Sequence, residues 1–332
     1  MKELSAIVDA LLAPDTAPAV LATLVSVEGS SYRRPGARLL VTPSGRRIGS
    51  ISGGCLEEDV LARAIQVRAT GRPDAVVYDT TAENDLVWGV GLGCHGVVRV
   101  LLERVPACPP WALALARNAR QRRATALTVI HGGDTPTTWG TRLAAPGDCA
   151  DPEALFLERI APPTALLVFG AGDDAQPVVR LAKEFGWHVT VADPRAAFST
   201  VTRFPTADSV LVAPADQLVE RANPDRDALA VVMTHHYVHD VPLLRALLAR
   251  PLAYVGLLGP KKRAEKILAD LAATGATVTP EQRARLHAPV GLDLGADTPE
   301  QVAFSILAEM QACLAGRNAR PLRERTQPIH AE

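Results

Sequence analysis

Ala165-Leu166-Leu167-Val168-Phe169-Gly170-Ala171-Gly172-Asp173-Asp174-Ala175 joins an unbroken apolar run to a glycine-spaced turn. The run predicts a strand buried on both faces. Residues 176–185 follow at helical spacing, and Gly186 stops them. Between strand and helix, Gly170-x-Gly172-x-x-Ala175 has the spacing of a dinucleotide fingerprint, where glycines allow a tight turn and close backbone approach to a ligand. Asp193 ends the next strand-like run, roughly 20 residues on, where a carboxylate would meet a ribose. Strand, loop, helix and acid together predict a Rossmann fold.

The alternation continues outward. Strands are predicted over 209–213, 229–233 and 252–258, with helices over 241–248 and 262–271. Thr298, Pro299 and Gln301 form a helix start with a capping box, and Gly316 supplies the stop. Strands separated by helices signal a parallel sheet with crossover connections. The expected class is α/β: a C-terminal Rossmann-like parallel sheet with helices on both faces, preceded by a smaller α/β domain with a mixed sheet. Turn-rich flanks at 144–148 and 161–163 set the expected division. It runs as an N-terminal domain over 1–150, a linker over 151–163, a Rossmann domain over 164–316 and a tail over 317–332.

Three features bear on what the second half binds. Asp173 and Asp174 suit a helix N-terminus as caps but would repel a pyrophosphate there, which argues against NAD(P). Gly259-Pro260-Lys261-Lys262-Arg263 places three cations where the helix dipole disfavours them, so either an anion meets Lys262 and its neighbours or all three are solvated. His235 and His239 would suit a metal if both lay on a helix, but the helix is expected only from Val241. A ligand-facing loop after a strand is the alternative for His235 and Asp240.

In the first half, a helix carries Leu4, Ile7, Val8, Leu11 and Leu12 and is stopped by Pro14. Strands are predicted over 20–27, 39–42, 75–78, 97–102 and 125–130. A further strand-like run, 47–51, leads into Ser52-Gly53-Gly54-Cys55-Leu56-Glu57, which opens a helix over 56–69. A cysteine at a helix N-terminus after two glycines is placed to act as a thiolate toward an anion-holding or soft-metal site. The packing alternative is a buried thiol after a tight turn. Gly91-Leu92-Gly93-Cys94-His95-Gly96 repeats the theme of glycines around a thiol before a strand. Arg33 and Arg34, after Glu28-Gly29-Ser30-Ser31, form a basic loop able to reach an anion.

Composition removes other classes. With 35 basic and 36 acidic residues in 332, and 4% aromatics, nothing favours nucleic acid. The start lacks a signal-peptide core, and no apolar stretch is long enough to span a membrane. Five scattered cysteines signal neither a disulfide framework nor a zinc site. A cytoplasmic protein with reduced thiols is expected.

Taken together, Glu28-Gly29-Ser30-Ser31-Tyr32-Arg33-Arg34-Pro35-Gly36-Ala37 and Gly49-Ser50-Ile51-Ser52-Gly53-Gly54-Cys55-Leu56-Glu57 resemble the amino-terminal module of the XdhC/CoxI family. The same family's Rossmann module is similar to Gly170-Ala171-Gly172, Asp193-Pro194-Arg195, Thr234-His235, Asp240, Gly256-Leu257-Leu258-Gly259 and residues 289–296 followed by Thr298-Pro299-Glu300. The likeness spans nearly the whole chain apart from residues 107–163. Many members read Cys-Gly-Gly where this chain has Cys94-His95-Gly96.

The resemblance implies an accessory protein rather than an enzyme. Its cargo would be the molybdenum cofactor (molybdopterin), protected while a cysteine desulfurase replaces a Mo=O by Mo=S. Delivery would be to the apo-enzyme of a xanthine dehydrogenase- or carbon monoxide dehydrogenase-type hydroxylase, by a homodimer. Cys55 and then Cys94 would face the molybdenum. Arg33, Arg34, Ser52, Gly53, Gly54, Glu57 and Gly96 would complete the amino-terminal site. Gly170, Gly172, Asp193, Arg195, His235, Asp240, Gly259 and Lys262 would form the Rossmann contribution. An NAD(P)-dependent oxidoreductase and a redox- or nucleotide-sensing interaction protein are the competing readings.

Overall fold

The computed structural model describes residues 2–14, 17–79, 96–151 and 153–326. It divides into two compact units, Met1–Pro162 and Pro163–Glu332.

The first unit begins with α1 (Lys2–Leu12), then β1 (Ala19–Gly29), β2 (Arg38–Val41), β3 (Arg47–Gly49), α2 (Glu57–Thr70), β4 (Asp74–Asp79) and β5 (Gly96–Val105). These strands form one sheet in the order β3-β2-β1-β5-β4. Both faces of β1 are buried. Val20, Ala22 and Leu24 pack with Val60, Ala64 and Val67 of α2. Ala19 and Leu21 pack with Ile7, Val8 and Leu11 of α1 and with Trp111 and Leu115 of α3 (Pro110–Arg120). That is the period-two consequence of a pleated strand between two layers. A second sheet has the order β7-β6-β8, from β6 (Thr125–Ile130), β7 (Gly140–Leu143) and β8 (Leu155–Ile160).

Two expectations need correction here. The main sheet is antiparallel at every pairing, not mixed. The helix α2 connects strands at opposite edges of the sheet, so helix–strand alternation creates no parallel neighbours. The stretch 151–163 is not simply a linker either, because β8 pairs with β6 along its length. Its flanking prolines read as loop, but Leu155-Phe156-Leu157 is a short apolar run that starts the strand.

The second unit runs β9 (Ala165–Phe169), α4 (Ala175–Glu184), β10 (His188–Asp193), β11 (Ser209–Val212), α5 (Ala215–Ala222), β12 (Leu229–Val232), α6 (Tyr237–Leu248), β13 (Tyr254–Leu257), α7 (Lys261–Ala273), α8 (Pro280–Ala284), β14 (Leu286–His287) and α9 (Pro299–Leu314). The sheet is parallel throughout, in the order β11-β10-β9-β12-β13-β14. This is the doubly wound Rossmann arrangement, with its switch point between β9 and β12. Leu166 and Val168 face α4 and α9, while Leu167 and Phe169 face α5, α6 and α7. The capping box of α9 is present: Thr298 accepts from the Gln301 N–H, and Gln301 reaches back to Thr298. One helix differs from its expected start. Tyr237, not Val241, begins α6, because its first turn is largely polar or exposed and carries no apolar period, while Asp240 suits the helix dipole. Among the described residues, no helix is long and apolar enough to cross a membrane.

Candidate functional site

The turn from β3 into α2 is held from within. Glu57 Oε1 accepts from the Ser52 N–H at 3.0 Å and the Ser50 hydroxyl at 3.2 Å, and Oε2 accepts from the Ser52 hydroxyl. Ser52 Oγ in turn accepts from the N–H groups of Gly54 (3.1 Å) and Leu56 (3.3 Å). Burial works against the Glu57 charge, but the Ser52 and Ser50 hydrogen bonds outweigh it and hold the carboxyl below its usual range. Ser52 is buried and Glu57 half-buried. Both therefore scaffold the turn. Gly53, Gly54 and Cys55 form its exposed tip, which removes the buried-thiol alternative.

Other connections converge on the same end of the sheet. A Cβ at Gly53 would lie 3.8 Å from the Tyr32 ring. The next residue, Arg33, forms a two-pronged pair with Glu3 of α1; that hydrogen bond, with Glu57 adding a smaller attraction, raises its pKa despite partial burial. At Gly96 a Cβ would stand 2.2 Å from the Ser30 carbonyl oxygen, so only glycine lets β5 start against the β1–β2 loop. Cys94 lies outside the described residues. Gly96 thus meets a packing requirement, and Cys55 is an exposed soft donor at this end among the described residues. Among the described residues, no three His, Cys, Asp or Glu side chains converge as a metal ion would need.

In the second unit, Gly170 has φ +119, and a Cβ there would lie 2.5 Å from the Met233 carbonyl oxygen. Its loop can lie against the end of β12 only as glycine. The fingerprint acid, however, is fully engaged by protein. Asp193 is completely buried. Its Oδ2 accepts from the Ala171 N–H (2.7 Å) and Arg195 Nη2 (2.8 Å), and its Oδ1 from Arg195 N–H (2.8 Å) and Nε (2.9 Å). Burial opposes its charge, yet these bonds keep its pKa low.

The neighbouring acids are also paired. Arg203 Nη2 donates to Asp173 Oδ1 at 2.8 Å, and His235 Nε2 lies 2.7 Å from Asp174 Oδ2. Asp174 makes no side-chain cap on α4, contrary to the capping reading. His235 precedes α6 with φ +61, so it does not share a helical face with His239. The Arg195 and Arg203 guanidiniums both stack near the Phe198 ring, at 4.4 and 5.3 Å. No local spacing in the sequence marked Phe198 or Arg203.

The basic start of α7 splits in two. Arg263 pairs through Nε (2.9 Å) and Nη2 with Asp240, which is buried and accepts the Thr234 hydroxyl at 2.6 Å. Asp240 is therefore a structural anchor, while Lys261 and Lys262 are exposed. Gly259, at φ +137, precedes them.

Comparison with known proteins fits this geometry. Residues 166–310 match the XdhC Rossmann domain and residues 13–79 the XdhC and CoxI family. The chain is 34% identical to a probable xanthine dehydrogenase subunit of Bacillus subtilis, over 91% of this chain and 94% of that protein. The chain belongs to the XdhC and CoxI family. Within reach of this family, it is 25% identical to the molybdenum cofactor insertion chaperone PaoD of Escherichia coli, over 88% of this chain and 82% of PaoD. The crystal structure of a xanthine dehydrogenase from Bacillus halodurans superposes with a TM-score of 0.81 at 29% identity, covering 98% of this chain and 99% of that one.

Proposed function

We propose that this chain is a molybdenum cofactor chaperone, acting in the cytoplasm in the maturation of a xanthine dehydrogenase- or carbon monoxide dehydrogenase-type hydroxylase. The observation that carries the reading is the exposed Cys55 at the tip of a turn whose hydrogen bonds are satisfied by Ser52 and Glu57. A thiolate there suits a soft metal–sulfur centre, and the name of PaoD describes such a role for that relative. The protein binds the cofactor, supports its sulfuration by a cysteine desulfurase and passes it to the apo-hydroxylase. It is an accessory factor, not a catalyst, and works as a homodimer. The Asp193 carboxylate, already occupied by Arg195 and the Ala171 N–H, supports a Rossmann unit that does not use NAD(P).

The test is anaerobic purification of the full chain from cells making molybdenum cofactor. Molybdenum and pterin are then measured, the latter by fluorescence after oxidation. Roughly stoichiometric cofactor is expected. Its absence, together with micromolar NADH or NADPH binding by calorimetry, would overturn the reading.

A further inference from the structure

Beside the Cys55 turn, the first unit contains a cleft of about 470 Å³ between the loop before β2, the start of α1 and the end of β8. Arg33, Arg34, Arg38 and Arg159 line it, against the carboxylates of Glu3 and Glu158. Positive charge exceeds negative in this lining. Guanidinium forks match the oxygens of a phosphate in pairs.

Arg38 is the distinctive member. Its side chain is 2% exposed, with Nη2 donating to Glu158 at 2.6 Å and Nη1 to the Gly36 carbonyl at 2.8 Å. Its Nε is buried with no hydrogen-bond partner among the described residues. That donor lies beneath the cleft surface, so Arg38 adds positive potential under the lining rather than a direct contact to a ligand. The wall is also closely packed. Gly36 has φ +94, and a Cβ there would lie 2.6 Å from Glu158 Oε1, so the loop closes onto the Arg38–Glu158 pair. Tyr32, 68% exposed, lines the same cleft and abuts Gly53 of the Cys55 turn.

We propose that this cleft is a phosphate-monoester site that seats the phosphate end of the pterin cargo, leaving its flat ring toward Tyr32 and its metal end toward Cys55. The identity of the cargo rests on the function proposed above; the anion site itself does not.

The experiment titrates the full chain by calorimetry with guanosine 5′-monophosphate, guanosine and inorganic phosphate. The wild type is compared with an Arg34→Gln/Arg159→Gln double variant and with Arg120→Gln, a change at an exposed arginine outside the cleft. Cofactor content is measured on the same preparations. The monophosphate and phosphate should bind the wild type and Arg120→Gln alike, with guanosine at least about tenfold weaker. The double variant should lose at least about tenfold in monophosphate affinity and most of its cofactor, with its melting temperature unchanged. Failure of phosphate and monophosphate to bind the wild type, or equal binding by the double variant, overturns the cleft, even if the wild type carries cofactor. Binding that the double variant loses, in a wild type that never carries molybdenum or pterin, keeps the anion site and removes the cargo assignment.

Discussion

Around Cys55, neighbouring side chains have divided roles that their proximity in sequence conceals. The thiol is exposed, while Ser52 and Glu57 satisfy the turn beneath it. Cys55→Ala should therefore melt like the wild type yet retain little molybdenum, measured by elemental analysis of the purified variant. Undiminished stoichiometry would remove Cys55 from the site. Glu57 behaves oppositely. Its pKa is held below the ordinary 4.5, so its contribution is complete above that pH and is lost as pH falls through the folded-state value. Glu57→Gln should lower neutral stability by about 1 kcal/mol, as loss of a helix-start cap does. Its denaturation midpoint should also decline less steeply than the wild type's below pH 4.5. Parallel pH profiles for the two proteins would contradict this.

Elements decide which cations at the start of α7 are structural. Arg263→Gln would leave Asp240 buried without its guanidinium partner, and should destabilise by about 3 kcal/mol. Lys262→Gln should leave thermal stability the same or slightly higher, because it removes an exposed positive charge from a helix N-terminus. Equal melting temperatures for the two variants would show that the Asp240 pair contributes nothing. The sequence made the cluster conspicuous but could not sort it, since the partner acid lies in another helix. The same limit explains other gaps. Glycine spacing, the apolar run of β9 and the capping box of α9 are local signals, and they located the Rossmann unit well. Asp193 looked available for a ribose because Arg195, two residues on, gives no sign from spacing alone that its side chain folds back. In α5, Ala215, Leu218, Val219 and Ala222 do recur at helical spacing, but over only 8 residues, and the polar first turn of α6 has no such period. At the Cys55 turn, Ser52 and Glu57 read as site residues because nothing local shows that they bond each other.

At the scale of the molecule, each unit has its own hydrophobic core. Val20, Leu24 and Val100 belong to one, and Leu166, Val178 and Ile306 to another beyond Pro163. Fragments 1–162 and 163–332, expressed separately, should each unfold cooperatively in urea. A linear, uncooperative loss of signal from either would show that it has no independent core. Alongside Glu309, Asp193 contributes to the acid response of the second fragment. Its pKa lies below the ordinary 3.8, so its stabilisation holds above that value and fades as pH falls through the folded-state one. An Asp193→Asn/Arg195→Gln fragment should therefore show a weaker dependence of urea midpoint on pH below 3.8. An unchanged acid limb would place that dependence on other carboxylates.

Because Ser52 and Glu57 complete the 50–57 turn from inside, its shape does not depend on what touches the sulfur. On the function proposed above, a cargo arriving at Cys55 would order no part of this turn, and a receiver drawing it away would melt none of it. Transfer then carries little penalty in chain entropy. Exchange at the sulfur would then be timed by dissociation rather than by refolding of the turn.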